Sequence, residues 1–168
     1  MSADRQEVEA AFKKYWQHGA INESWHNWAK TVFTEDVLYV ERIYGTMRGR
    51  DAVQTWISEL MANNQHVHAI LDWYMIEGNR VVVNMTNRYY SPKPAAPPFD
   101  FAGITILEYA HDGLFSYEED YWDLKSAKKA HQAFNRALEQ YGSDHIQETA
   151  TRKQQRNPWP TKANKITK

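Results

Sequence analysis

The sequence predicts an α+β fold: a curved antiparallel sheet wrapped around N-terminal helices, with a C-terminal helix. Three observations predict it. As far as Met61, apolar residues recur at helical spacing on either side of one short strand pattern. After Asn63-Asn64 the period falls to two and stays there as far as Trp122. From Leu124 it returns to helical spacing. Helices gathered on one face leave such a sheet curled over them.

Asp4, with Glu7 three residues on, forms a capping-box pattern, and Val8, Ala11, Phe12, Tyr15 and Trp16 follow on one helical face. Gly19 is expected to end that helix. A second helix, capped by Asn22 or Ser24, carries Trp25, Trp28, Ala29, Val32 and Phe33, and Thr34-Glu35-Asp36 breaks it. Residues 37–42 form a β-branched and aromatic strand, and Gly45 and Gly49 mark turns. Asp51 caps a third helix with Val53, Trp56, Ile57, Leu60 and Met61 inward. Strands over 66–76 and 80–90 join at Gly78-Asn79. The four prolines of 91–98 exclude a central strand there. Strands over 101–109 and 114–122 form a hairpin across His111-Asp112-Gly113, and a helix over 124–141 places Leu124, Ala127, Ala130, Phe134, Leu138 and Tyr141 inward. Gly142 stops it. Residues 1–142 are therefore the domain, and 143–168 a polar tail whose last stretch, 151–168, holds six Lys or Arg, no acid, and Trp159 between prolines.

A chain of 168 residues is long enough to bury a real core. A net charge of −1 gives no global field for nucleic acid or membranes, so neither is expected as a partner. The absence of cysteine excludes disulfides, thiolate catalysis and cysteine metal sites. With no apolar leader pattern, the expected location is cytoplasmic. Seven Trp, ten Tyr and six Phe are enough both to fill a core and to line a cavity for a small, apolar molecule.

Alternation sorts the strand residues by face. Val37, Tyr39 and Glu41 share one. On the last strand Ser116, Glu118, Asp120 and Trp122 share one face, and Phe115, Tyr117, Glu119 and Tyr121 the other. Rings on both faces predict that the outer face is also covered, which leads to a homodimer. The acids of 117–123 sit between rings, where burial disfavours the charged form and yields a general acid or base near neutral pH. The bland alternative for each is a surface ion pair. His66, His68 and Asp72 alternate on one strand face as ligands of a metal site would. The three-helix start does not suit the folds that use this spacing, and no metal is assigned.

Phe33-Thr34-Glu35-Asp36-Val37-Leu38-Tyr39, Gly49-Arg50-Asp51-Ala52-Val53, and Asp112-Gly113-Leu114 leading into Glu119-Asp120-Tyr121-Trp122-Asp123 together resemble the SnoaL-like branch of the nuclear transport factor two-like superfamily. The resemblance covers about residues 5–140. It implies a cone with a deep pocket, in a superfamily of polyketide cyclases, limonene epoxide hydrolases, ketosteroid isomerases, dehydratases and non-catalytic binding domains. By position Tyr39 and Glu41 resemble the water-holding tyrosine and asparagine of the limonene epoxide hydrolases, and Asp120 resembles their last-strand aspartate. Those hydrolases also use an Arg-x-Asp pair on a middle strand. Here that strand reads Asn84-Met85-Thr86-Asn87-Arg88, so the water-activating set is incomplete.

The sequence therefore points to a cofactor-independent isomerase, dehydratase or cyclase acting on a small, largely apolar oxygenated or polycyclic substrate. Asp120 is the expected base, Glu41 the second acid or water holder, and Tyr39 the hydrogen-bond donor. Glu118 and Asn87 or Arg88 are expected to bind substrate, with Trp28, Trp73 and Trp122 as walls. The alternatives are an epoxide hydrolase and a binding domain in which Glu41 pairs with Arg88.

Overall fold

The structure is a computed structural model and describes residues 3–146; Trp159 and the basic stretch of the expected tail lie outside the described residues. Helix α1 spans Arg5–Trp16, α2 Trp28–Val32, α3 Arg50–Ala62 and α4 Leu124–Tyr141. The strands are β1 Phe33–Glu41, β2 Gly45–Arg48, β3 Val67–Glu77, β4 Arg80–Tyr89, β5 Phe99–His111 and β6 Leu114–Trp122. They form one mixed sheet in the order β2-β1-β6-β5-β4-β3. Its neighbours are antiparallel except for β1 and β6, which run parallel. That pair departs from the expected all-antiparallel sheet. It sets Tyr39 opposite Glu118 and Glu41 opposite Asp120.

Helix α1 forms as its pattern dictates. The Asp4 carboxylate accepts from the Gln6 N–H at the N-terminus, and Val8, Ala11, Phe12, Tyr15 and Trp16 are all buried. Glu7 accepts instead from the Tyr109 hydroxyl across the core. Gly19 does not end the helix, which continues as one π-helical turn over Gln17–Ile21. Its lack of a side chain serves packing: a Cβ there would stand 2.7 Å from Trp28 Nε1. The second helix is shorter than its spacing predicts. Trp25 lies in a turn before it, Asn27 rather than Asn22 or Ser24 stands at its N-terminal boundary without a side-chain cap bond, and Phe33 to Asp36 belong to β1. Gly45 and Gly49, expected as turns, bound a short strand, β2, and the residue at the N-terminal boundary of α3 is Gly49, not the expected cap Asp51.

The core lies between the helices and the concave face of the sheet. Phe12, Trp28, Val32, Phe33, Val37, Val53, Val81, Val83, Leu107 and Phe115 are buried there. Rings interlock at its centre: Phe12 with Tyr74 at 4.7 Å, Trp28 with Phe33 at 5.1 Å and Tyr15 with Trp28 at 5.2 Å between centroids. Such pairs add roughly 0.5–1.5 kcal/mol each beyond area burial.

Bulges at Asp72 in β3 and at Ser116 in β6 reverse the alternation. In β3 the register passes from Leu71↔Met85 to Trp73↔Asn84, leaving Asp72 as the extra residue. Ala69 and Leu71 face the core before it, Tyr74 and Ile76 after it. Trp73 is thereby turned to the convex face, in a cross-strand row with Asn84, Ile104 and Tyr121. In β6 the register passes from Tyr109↔Phe115 to Glu108↔Tyr117 around Ser116. Phe115 packs inward against Tyr15 and Tyr109, not on the face of Tyr117, Glu119 and Tyr121.

Helix α4 docks through Ala130 and Phe134, with Phe134 stacked on Tyr89 at 4.9 Å. Leu124 and Tyr141, expected inward, lie at its two ends and are exposed. Ile146 is buried beside Phe134, so packing continues past residue 142. Among the described residues, no helix is long and apolar enough to cross a membrane.

Candidate functional site

The cone encloses a cavity of about 660 Å³. Its walls come from the N-terminal helical region (Trp16, Trp25, Trp28), from β1 and α3 (Tyr39, Trp56, Leu60), and from β4–β6 (Met85, Phe101, Trp122). Helix α4 presents Leu124, Ala127, Lys128 and His131 to it at spacings of three and four, one helical face. A volume of this size suits a small molecule, and the walls are largely apolar.

Asp120 lines this cavity. Each of its oxygens accepts one hydroxyl: Tyr39 Oη donates to Oδ2 at 2.5 Å, and Thr105 Oγ1 donates to Oδ1 at 2.5 Å. The ladder explains both. Thr105 is the β5 partner of Asp120, and Tyr39 stands one step along on β1. Burial raises the Asp120 carboxyl from 3.8 to about 6, against the two hydroxyls, which favour the anion; the charges of Glu41 and Glu119 add to the rise. An acid so placed is ionised near neutral pH and is a stronger base than an exposed aspartate.

Glu118 also lines the cavity and is only 1% exposed. Tyr15 Oη donates to its Oε1 at 2.8 Å, while Oε2 is buried without a hydrogen-bond partner. Burial, and then the charge of Asp120, push Glu118 well above the usual carboxylate range. Burial likewise pushes the Tyr15 and Tyr39 phenols upward, and the neighbouring carboxylates push them further, so both remain donors.

Glu41 has a different setting. Trp122 Nε1 donates to Oε1 at 2.5 Å, and the backbone N–H groups of Ile43 and Tyr44 donate to Oε2 at 2.7 and 2.5 Å. It lines the cavity, yet its hydrogen bonds tie the β1–β2 turn to Trp122. The pairing with Arg88 that belonged to the binding-domain alternative does not occur, since Arg88 pairs with Asp100.

The structure brings together Tyr39, Glu41, Asn87, Glu118, Asp120, Trp28 and Trp122 around one cavity. It leaves out two expected residues. Arg88 donates from Nε and Nη2 to Asp100 at 2.9 and 2.6 Å and does not line the cavity, because its partner faces are those of His68 and Asp100. Asn87, one residue earlier, faces the cavity, its amide nitrogen 2.8 Å from where a Cβ on Gly103 would stand. Trp73 is turned away by the bulge at Asp72. On the face of His68 and Asp72 the two side chains are engaged separately. His68 Nδ1 meets Glu23 at 2.6 Å, Asp72 accepts from Thr86, and no group of potential metal ligands occurs among the described residues.

Thr105 and Tyr15 were not legible as site residues. Thr105 sits in an apolar strand, and Tyr15 reads as one more core ring on α1. Only the ladder partner of Asp120 and the aim of the α1 face reveal them.

A family model for the SnoaL-like domain matches residues 13–117. Solved structures share the fold at low identity. A proposed SnoaL-like polyketide cyclase from Jannaschia sp. CCS1 is 18% identical, with a TM-score of 0.60 over 76% of this chain and 96% of that one. An LEH-like epoxide hydrolase from M. tuberculosis is 16% identical, with a TM-score of 0.57 over 79% and 92%. A hypothetical protein with a ketosteroid isomerase-like fold from Catenulispora acidiphila DSM 44928 is 23% identical, with a TM-score of 0.56 over 74% and 91%. No curated protein matches the chain. With the cone, the cavity and the family match in agreement, the chain belongs to the SnoaL-like domain family.

Proposed function

We propose that this protein is a cofactor-independent acid–base enzyme of isomerase, dehydratase or cyclase type, acting on a small, largely apolar oxygenated or polycyclic molecule. One observation carries the reading: Asp120, a cavity-lining acid held at about 6 by burial and oriented by two hydroxyl donors. Asp120 takes a proton from carbon next to a carbonyl. The C–H electron pair moves onto the substrate oxygen, and Asp120 returns the proton at a second position. Trp28, Trp122 and the other rings hold the apolar body, and Asn87 supplies a polar contact on the β4 wall. No step needs a cofactor.

The hydrolase-type reading has less support, because Arg88 is engaged by Asp100 outside the cavity. The binding-domain reading draws on Glu41, whose three N–H donors make it an anchor rather than a free acid. A panel of bicyclic ketones and β,γ-enones, followed by the absorbance of the conjugated product, separates the readings. Acceleration by the wild-type protein that is lost in Asp120→Asn is expected. Binding of the panel without conversion would replace the enzyme reading with the binding one.

A further inference from the structure

We infer that Glu118 and Asp120 hold a single proton between them through the Tyr39 hydroxyl, which makes Glu118 a positioning residue for the acid–base chemistry of Asp120. The inference rests on the proposed role of Asp120 and adds a second carboxyl to it.

The ladder places the three groups together. Tyr39 is the direct cross-strand partner of Glu118, and its hydroxyl donates to Asp120, the next inward residue on the same strand. Glu118 Oε1 already accepts from Tyr15, whereas Oε2 is buried and has no partner. A bare carboxylate oxygen in that position is costly. A protonated Oε2 turned towards Tyr39 resolves it, because the phenol oxygen donates once, to Asp120, and keeps lone pairs that can accept. The chain then runs from Glu118 O–H to Tyr39 Oη, and from Tyr39 O–H to Asp120 Oδ2.

The surrounding charges favour one shared proton over two anions. The ionisable neighbours are Tyr15 from α1, Tyr39 and Glu41 from β1, and Glu119 from β6, whose carboxylate pairs with Arg42. No cation forms an ion pair with Glu41, Glu118 or Asp120 among the described residues. Shifting both hydrogens along the chain moves the negative charge from Asp120 to Glu118 without involving solvent. Asp120 is thus a base in one arrangement and an acid in the other. When it takes a carbon-bound proton, the pair carries two protons, one on each carboxyl, and gives one back to the product carbon.

Carbon-13 NMR of protein labelled at the Asp γ and Glu δ carboxyl carbons tests this without a substrate, with signals assigned by their loss in Asp120→Asn and Glu118→Gln. In the wild type, the Glu118 and Asp120 carboxyl signals should move together, with comparable amplitude, in the titration step near pH 6. In Tyr39→Phe the Asp120 signal should titrate alone. A Glu118 signal that stays still through the wild-type Asp120 step would overturn the inference, and this result needs no Tyr39 variant to fold. Coupled movement together with an inactive protein would retain the shared proton and reject the enzyme reading instead.

Discussion

Tyr39 stands directly opposite Glu118 across the parallel β1–β6 ladder, yet its hydroxyl donates to Asp120. The parallel pairing makes this possible. It lays the inward residues of the first strand beside those of the last, so residues eighty-one apart in sequence share one hydrogen bond.

Asp120 carries the first prediction. Asp120→Asn keeps the shape, with one hydroxyl donating to the amide oxygen and the other turned to accept from its N–H₂, but cannot take a proton. Turnover should fall by at least about 100-fold, the usual contribution of a general base. The same substitution reads out in stability. The folded-state carboxyl, at about 6, lies above its ordinary 3.8, so the native state binds its proton more tightly than the unfolded state. Its contribution is therefore complete below about 3.8 and is lost as pH rises through about 6, on the order of 3 kcal/mol. Denaturant unfolding between pH 3.5 and 7.5 should show the wild type losing stability relative to Asp120→Asn across that window. Parallel curves would reject the raised carboxyl.

Glu41 should behave in the opposite way. Glu41→Gln leaves one amide oxygen to accept from the three N–H donors and turns its N–H₂ against at least one of them. Hydrogen bonds to charged groups contribute about 1.5–3 kcal/mol. The variant should lose roughly that much stability, seen as a lowered Tm, with kcat changed less than in Asp120→Asn. A Glu41→Gln protein of wild-type Tm with abolished turnover would restore Glu41 as the second acid.

The periodicity of the sequence revealed the elements well, and β6 and α4 end where it predicts. It failed where one residue was inserted without a mark. The bulges at Asp72 and Ser116 carry neither Gly nor Pro, so simple alternation put Trp73 inside and Phe115 outside, the reverse of their positions. The site was legible as far as it lies on regular stretches, which is why Tyr39, Glu41, Glu118, Asp120 and Trp122 share a face as expected. Thr105 and Tyr15 depend on tertiary pairing, which no local pattern records. The long second helix was a failure of another kind. Its rings satisfied helical spacing, but Phe33 to Asp36 are held by β1 pairing, where tertiary contact overrides local preference.

Gly19 tests the packing of the cavity wall. A Cβ there meets Trp28 Nε1, which donates to the Tyr15 carbonyl at 3.3 Å. Trp28 packs against Tyr15, Trp25 and Phe33, so a retreat towards the cavity costs these ring contacts and the hydrogen bond. Gly19→Ala should destabilise the protein by about 1–3 kcal/mol, the range for overpacking a core, although alanine is the better helix former. A Tm equal to or above that of the wild type would show that the wall yields.

The convex face leads to the last prediction. Trp73, turned outward by the bulge, lies in one cross-strand row with Asn84, Ile104 and Tyr121, and Met75, Val82 and Ile106 lie in the next. Met75, Ile104 and Tyr121 are 48%, 38% and 41% exposed, so this row of apolar groups faces solvent in the isolated chain. Beside it, Glu119 accepts from Tyr117, Tyr121 and Arg42, a hydrogen-bonded network that burial would strengthen. We propose that two copies pair through this face. A stable interface needs about 800 Å² from each partner, within the reach of a six-stranded sheet. Sedimentation at micromolar concentration should give a dimer. Met75→Asp, which places a charge on this face at a residue outside the cavity lining, should shift it to monomer with the cavity intact. A wild-type protein that sediments as a monomer would leave the convex face without this role.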